Sequence, residues 1–198
     1  MHTRKFWKSL ADGWPAPTRA HMIAFGVGTL CFLLHMWGVG GDSWLFHPIN
    51  LAIHEAGHVV FAPLGFFMGM LGGSLFQCLI PLVCVIYFFR RREAMGAAAA
   101  GMWFGENFLD VAIYIADARI MALQMVGGGT IHDWNWLLSR TGLLDQCLTL
   151  AWLAHALGWI IMLISAGLYA MFCASHTGLR DYFLKKGSPS QAHHRTRK

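Results

Sequence analysis

Five apolar runs set the terms on which this chain can fold: roughly His21–Gly40, Pro48–Met70, Gly72–Phe89, Ala94–Met125 and Cys147–Cys173. Each is long enough to cross about 30 Å of hydrocarbon as a helix, the form that satisfies every backbone N–H and C=O within the segment. Composition agrees, since 56% of the 198 residues are hydrophobic, 14% aromatic and only 13% charged, far from globular averages. The sequence predicts an all-α polytopic membrane protein of four to five transmembrane helices. Its expected parts are a cytoplasmic or interfacial segment over 1–20, a membrane domain over 21–175, and a basic, disordered tail over 176–198.

The second run holds His54-Glu55-Ala56-Gly57-His58, an H-E-x-x-H pattern. On a helix the i and i+4 spacing puts both imidazoles on one face a turn apart. There they can grip one Zn²⁺ while Glu55 reaches a zinc-bound water as general base. Chance could also place two packed core histidines here, but a carboxylate at bilayer depth costs several kcal/mol and persists where it is paired or working. The five cysteines, Cys31, Cys78, Cys84, Cys147 and Cys173, form no C-x-x-C pair. They read as small buried hydrophobes rather than a disulfide frame or thiolate zinc site.

The net charge of +5 comes from clusters: Arg4, Lys5, Lys8 and Arg19; Arg90-Arg91-Arg92; and Arg180, Lys185, Lys186, Arg195, Arg197 and Lys198. Each abuts an apolar run, so membrane topology explains them and nucleic acid is not an expected partner. The basic start and first run have the form of a secretory signal, and are read as a retained span. Five crossings from an internal N-terminus would strand the arginine triplet and tail outside. Pro48 suits a first helical turn and Pro63 should end the helix, leaving about 15 residues or roughly 22 Å, short for a crossing. A re-entrant H-E-x-x-H helix puts all but Arg119 and Arg140 of the 15 Lys and Arg inside. The alternative is five crossings with the N-terminus outside. In both, the Val126–Gln146 connection lies outside as an interfacial lid. Thr130 or Asp133 caps a short helix there, Gly142 ends it, and Trp134, Trp136 and Leu137 sit in the headgroup zone. Gly127-Gly128-Gly129 lacks the lysine and spacing of a phosphate loop.

A catalytic zinc takes three protein ligands and keeps a position for water, so one more donor is required. Glu106, Asp110 and Asp117 share a helical stripe, with Asn107 at its edge, that should face the interior. Asp117, in Asp117-Ala118-Arg119, is the chosen third ligand; Asp110, His132 and Asp133 are its rivals, and pairing with Arg119 is its structural alternative. His155 is a weaker candidate, better suited to packing or to supporting a ligand.

The order of H-E-x-x-H, a small-residue segment, an Asn, and an Asp about ten residues later resembles the site-2 protease family of intramembrane zinc metalloproteases. The similarity spans roughly Ile49 to Arg119, and H-E-x-x-H is its specific part. The resemblance implies that His54 and His58 are zinc ligands, Glu55 the base, Asp117 the third ligand and Asn107 a substrate-positioning residue. Gly72-Gly73-Ser74-Leu75-Phe76-Gln77 stands where the family has its small-residue segment. Ile115-Ala116-Asp117-Ala118 departs from the family's Leu-Asp-Gly, the prolines usual between Asn and Asp are missing, and there is no room for an inserted PDZ domain. Asn107-Phe108-Leu109-Asp110 offers a competing Leu-Asp.

The expected activity is hydrolysis of peptide bonds in membrane-embedded substrates, with Zn²⁺ as cofactor and the lipid bilayer as surroundings. A non-catalytic zinc-binding membrane chaperone or regulatory pseudoprotease is the alternative, and metal transport a third class. Chain size and the absence of organelle signals point to a bacterial cytoplasmic membrane. The substrate, the regulatory partner and the oligomeric state are not written in the sequence.

Overall fold

The computed structural model describes residues 13–43, 45–123 and 131–176. The expected disordered tail, the triple-glycine run, Thr130 and most of the N-terminal segment lie outside these residues. Among the described residues the fold is all-helical: α1 Arg19–Val39, α2 His47–Phe61, α3 Phe66–Arg90, α4 Ala94–Ala116, α5 Asp133–Thr141 and α6 Cys147–His176, with 3-10 turns at Ala62–Leu64 and Leu144–Gln146.

Among the described residues three helices are long and apolar enough to cross a membrane: α1, α3 and the stretch Leu144–His176 that contains α6. The expected count of four to five is thus reduced by two local features. The second run is split. Pro48 occupies the first turn of α2, Pro63 falls in the next turn, and Gly65 at φ 101° reverses the chain, so α2 has 15 residues, about 22 Å. The fourth run stops at Ala116, and α4 carries Glu106 and Asp110 among small residues, too polar to rank as a span by hydropathy.

Instead α4 is the core. Its buried residues include Leu109, Val111, Ala112 and Ile115 as well as Glu106 and Asn107. It packs most extensively on α6, where Gly105 and Gly158 meet so closely that a Cβ on either would overlap the other's carbonyl oxygen. Small residues of this kind let helix backbones approach where lipid provides no hydrophobic drive between helices. The same device joins α2 to α3: a Cβ on Gly57 would overlap the carbonyl of Gly72. The two helices form an antiparallel hairpin, with His58 beside Gly69 and His54 beside Gln77. Asn50 anchors this hairpin to α4, its Nδ2 donating to Glu106 Oε2 at 2.9 Å and its Oδ1 accepting from Trp103 Nε1 at 3.0 Å.

One end of the bundle gathers the approach to α1, the arginine triplet and the end of α6. Arg92 Nη1 donates to the Gly13 carbonyl, and Trp14 packs its ring on Phe89 and Phe172. The other end carries α5, held against the ends of α4 and α6 through Ile115, Leu138 and Cys147. Leu137 is buried rather than set in an interfacial zone.

Candidate metal centre

The turn after α4 is built around Asp117. Its carboxylate accepts from Ala122 N at 2.9 Å and Leu123 N at 3.0 Å, and Oδ2 lies 3.3 Å from His132 Nε2. His132 in turn caps α5, its Nδ1 accepting from Asn135 N at 3.2 Å. Burial lowers the His132 pKa despite the neighbouring Asp117, in keeping with a neutral, accepting Nδ1. Asn135 Nδ2 donates back to the Ala118 carbonyl at 2.8 Å, and Gly142 at φ 70° ends the helix. These bonds fix the first residue of α5, Asp133, whose N–H donates to Tyr114 Oη at 3.3 Å.

Asp133 projects onto the α2 histidines. Its Oδ2 lies 3.0 Å from His54 Nε2 and 3.1 Å from His58 Nε2. These three residues form a group able to hold a metal ion, all its donor atoms within 4.8 Å of one another. His54 and Asp133 are buried; His58 is half-buried.

The hydrogen bonds behind the rings fix which nitrogens are available. His58 Nδ1 is 2.8 Å from the Gly69 carbonyl, which can only accept, so Nδ1 carries the hydrogen and Nε2 presents a lone pair. His54 Nδ1 is 3.1 Å from Gln77 Oε1, with the same consequence. Two lone pairs therefore meet one carboxylate oxygen, an arrangement that needs a cation, whether a proton on each ring or a metal. Burial raises the Asp133 pKa, but hydrogen bonds from His54 and His58 and their charge outweigh it and hold the carboxyl at about 2. Tetrahedral zinc with N and O ligands near 2.0–2.2 Å requires donor separations of about 3.3 Å, close to the two separations observed between Asp133 and the histidines.

Glu55, one residue on from His54, is exposed and borders a cleft of about 440 Å³ together with His54, His47, Gln77, Asp110 and Tyr114. The structure thus brings His54, Glu55 and His58 to one place, as H-E-x-x-H spacing predicts. It puts Asp133 where the sequence reading put Asp117, because Asp117 is drawn into the turn that supports α5. Asp117 does not pair with Arg119, whose partner is Asp145 at 3.7 Å. Asp110 stands behind His54, bonded to Gln77 and His47. The cap of α5 is His132, with Asp133 one position inside the helix. Asn107, expected to hold substrate, is fully buried in α4, donates to the Trp103 carbonyl at 2.8 Å and does not border the cleft. Gln77 and Tyr114 were not singled out; a lone glutamine in an apolar helix was the available sign for the first.

Comparison with protein-family models, with curated proteins and with solved structures gives no match for this chain.

Proposed function

We propose that this protein is a zinc-dependent intramembrane peptidase, related in chemistry to the site-2 proteases. The observation that carries the reading is the convergence of His54 Nε2, His58 Nε2 and Asp133 Oδ2 beside a cleft bordered by Glu55. Two imidazoles and one carboxylate are the donor set of a catalytic zinc, which keeps a position open. When bound, zinc supplies Lewis acidity, making water a nucleophile near neutral pH and polarising a carbonyl. Glu55, at the edge of the cleft, would be the base that accepts a proton from the attacking water and the acid that returns it to the leaving amine. Tyr114 holds Asp133 in place through its backbone N–H. A non-catalytic zinc protein would have no use for a carboxylate placed between a ligand and an open cleft.

The membrane setting rests on the outward faces of the long helices. Trp37 is 79% exposed, Trp152 68% and Leu148 67%, an apolar exterior suited to lipid. Although α4 is too polar to qualify as a span by hydropathy alone, it is sheathed by α3 and α6, and counting it as a crossing beside α1, α3 and α6 puts the arginine triplet, Gly13 and His176 on one side, the cytoplasmic side by the positive-inside tendency. The centre then lies toward the opposite end, under α5. A substrate helix would have to unwind locally in the cleft, which favours small or helix-breaking residues at the cut.

The decisive experiment uses the full chain in zinc-loaded proteoliposomes with synthetic transmembrane peptides carrying Gly and Pro at mid-span. Glu55→Gln should keep its zinc and lose cleavage by about 10²–10⁴-fold. A variant that cuts as fast as the native chain would overturn the reading, as would a zinc-loaded native chain that cuts none of them.

A further inference from the structure

A line of polar side chains runs from His54 away from the metal centre. His54 Nδ1 is 3.1 Å from Gln77 Oε1, Gln77 Nε2 donates to Asp110 Oδ2 at 2.6 Å, and Asp110 Oδ1 is 2.8 Å from His47 Nδ1. Three helices contribute, α2, α3 and α4. Gln77 is buried at 2% exposure in a largely apolar helix, an expensive location for an amide with no task.

The direction of these bonds is forced. A carboxylate only accepts, so Asp110 takes hydrogens from both neighbours. Gln77 must therefore turn its NH₂ toward Asp110 and its oxygen toward His54, whose Nδ1 can then only donate. A proton held on Nδ1 leaves Nε2 as the lone-pair nitrogen, and Nε2 is the atom that faces Asp133. The opposite amide orientation would require a lone pair on Nδ1 and a hydrogen on Nε2, the tautomer that cannot bind metal through the nitrogen facing Asp133. His58 has a backbone carbonyl to do this work; His54, on the inner side, has a side chain that must itself be oriented.

We propose that Gln77, locked by Asp110 and His47, is a positioning residue that sets the His54 tautomer for metal binding. The inference rests on the metal reading above, and Asp110, a rival zinc ligand by sequence, acquires a different task. It concerns the polarity of a hydrogen-bond chain, so the chain can be rebuilt with its charge moved. In Gln77→Glu/Asp110→Asn, the new carboxylate at 77 accepts from His54 Nδ1 and from the new amide at 110, whose oxygen accepts from His47. The bonds from His54 and from His47 keep their direction, and only the bond between positions 77 and 110 reverses, with the amide at 110 now the donor.

The test is Zn²⁺ affinity of the purified full chain, measured against a chromophoric chelator, with ¹⁵N shifts of the His54 ring nitrogens as tautomer readout. Gln77→Leu should weaken zinc binding about 10–100-fold and shift hydrogen occupancy toward Nε2 in the zinc-free protein. The double variant should bind zinc no more weakly than the native chain and restore Nδ1–H. Native affinity in Gln77→Leu, or a double variant as weak as Gln77→Leu, overturns the inference while leaving the metal centre standing. A native chain that takes up no zinc removes the metal reading itself, and this inference with it.

Discussion

Gly73 of α3 lies against the imidazole of His54, so close that a Cβ would overlap Nε2, Cδ2 and Cε1 of the ring. The small-residue segment is thus shaped to the ligand as much as to the helix partner. Gly73→Ala must push the ring off Asp133 or part α2 from α3. Overpacking of this kind costs about 1–3 kcal/mol, so zinc affinity should fall roughly 5- to 150-fold by chelator competition. An unchanged affinity would show that the ring has room the structure denies it.

Asp133 and Asp117 are separable by metal content. Asp133→Ala removes a donor and should leave the purified protein with little zinc by elemental analysis. Asp117→Ala should retain zinc at native stoichiometry while losing the two N–H partners of its turn, at a cost of about 1–2 kcal/mol in unfolding. The reverse pattern would restore Asp117 as third ligand.

Acid acts on the centre in two ranges. His58 must be deprotonated to bind metal, and in the zinc-free protein its hydrogen bond with Asp133 raises its pKa to about 9, so zinc affinity should fall as the pH drops through about 9, with a proton taken up at His58 as zinc is released. In the chelated protein Asp133 has a pKa depressed from 3.8 to about 2. Its contribution to stability is therefore present above about pH 4 and lost as the pH falls toward 2. Melting temperature should drop across that window in the native chain, and Asp133→Ala should lack that component of the drop.

The grip of α5 on the hairpin depends on Trp134, whose Nε1 donates to Ser74 Oγ at 3.1 Å. Ser74→Ala leaves that N–H unpaired, a loss of about 1–2 kcal/mol. Because α5 carries Asp133, zinc should dissociate faster by roughly 5- to 30-fold in stopped-flow chelation, with the helix content unchanged. Equal dissociation rates would mean that α5 is held by its apolar contacts alone.

The short, proline-bounded α2 was legible in advance because its causes are local. Pro48 starts it, Pro63 and Gly65 end it, and i, i+4 spacing alone puts His54 and His58 on one face. The inward stripe of Glu106 and Asp110, with Asn107 at its edge, was legible for the same reason, since periodicity is a property of one helix, whereas Asp117, expected on the same stripe, lies just past the end of α4. Asp117 was misplaced because chain spacing cannot say which of several loop carboxylates folds back. Ala122, Leu123 and His132 compete for Asp117 and win it for the turn.

By itself the sequence determined an all-helical chain with apolar segments of membrane length and a pair of histidines backed by a glutamate. These follow from hydropathy and helical period, which act over one or two turns. Only the tertiary structure decided that Asp133 completes the group and that Gln77 stands behind His54. Those relations join residues 79 and 23 positions apart, across contacts that exist once Gly57, Gly72 and Gly73 let α2 and α3 close on one another.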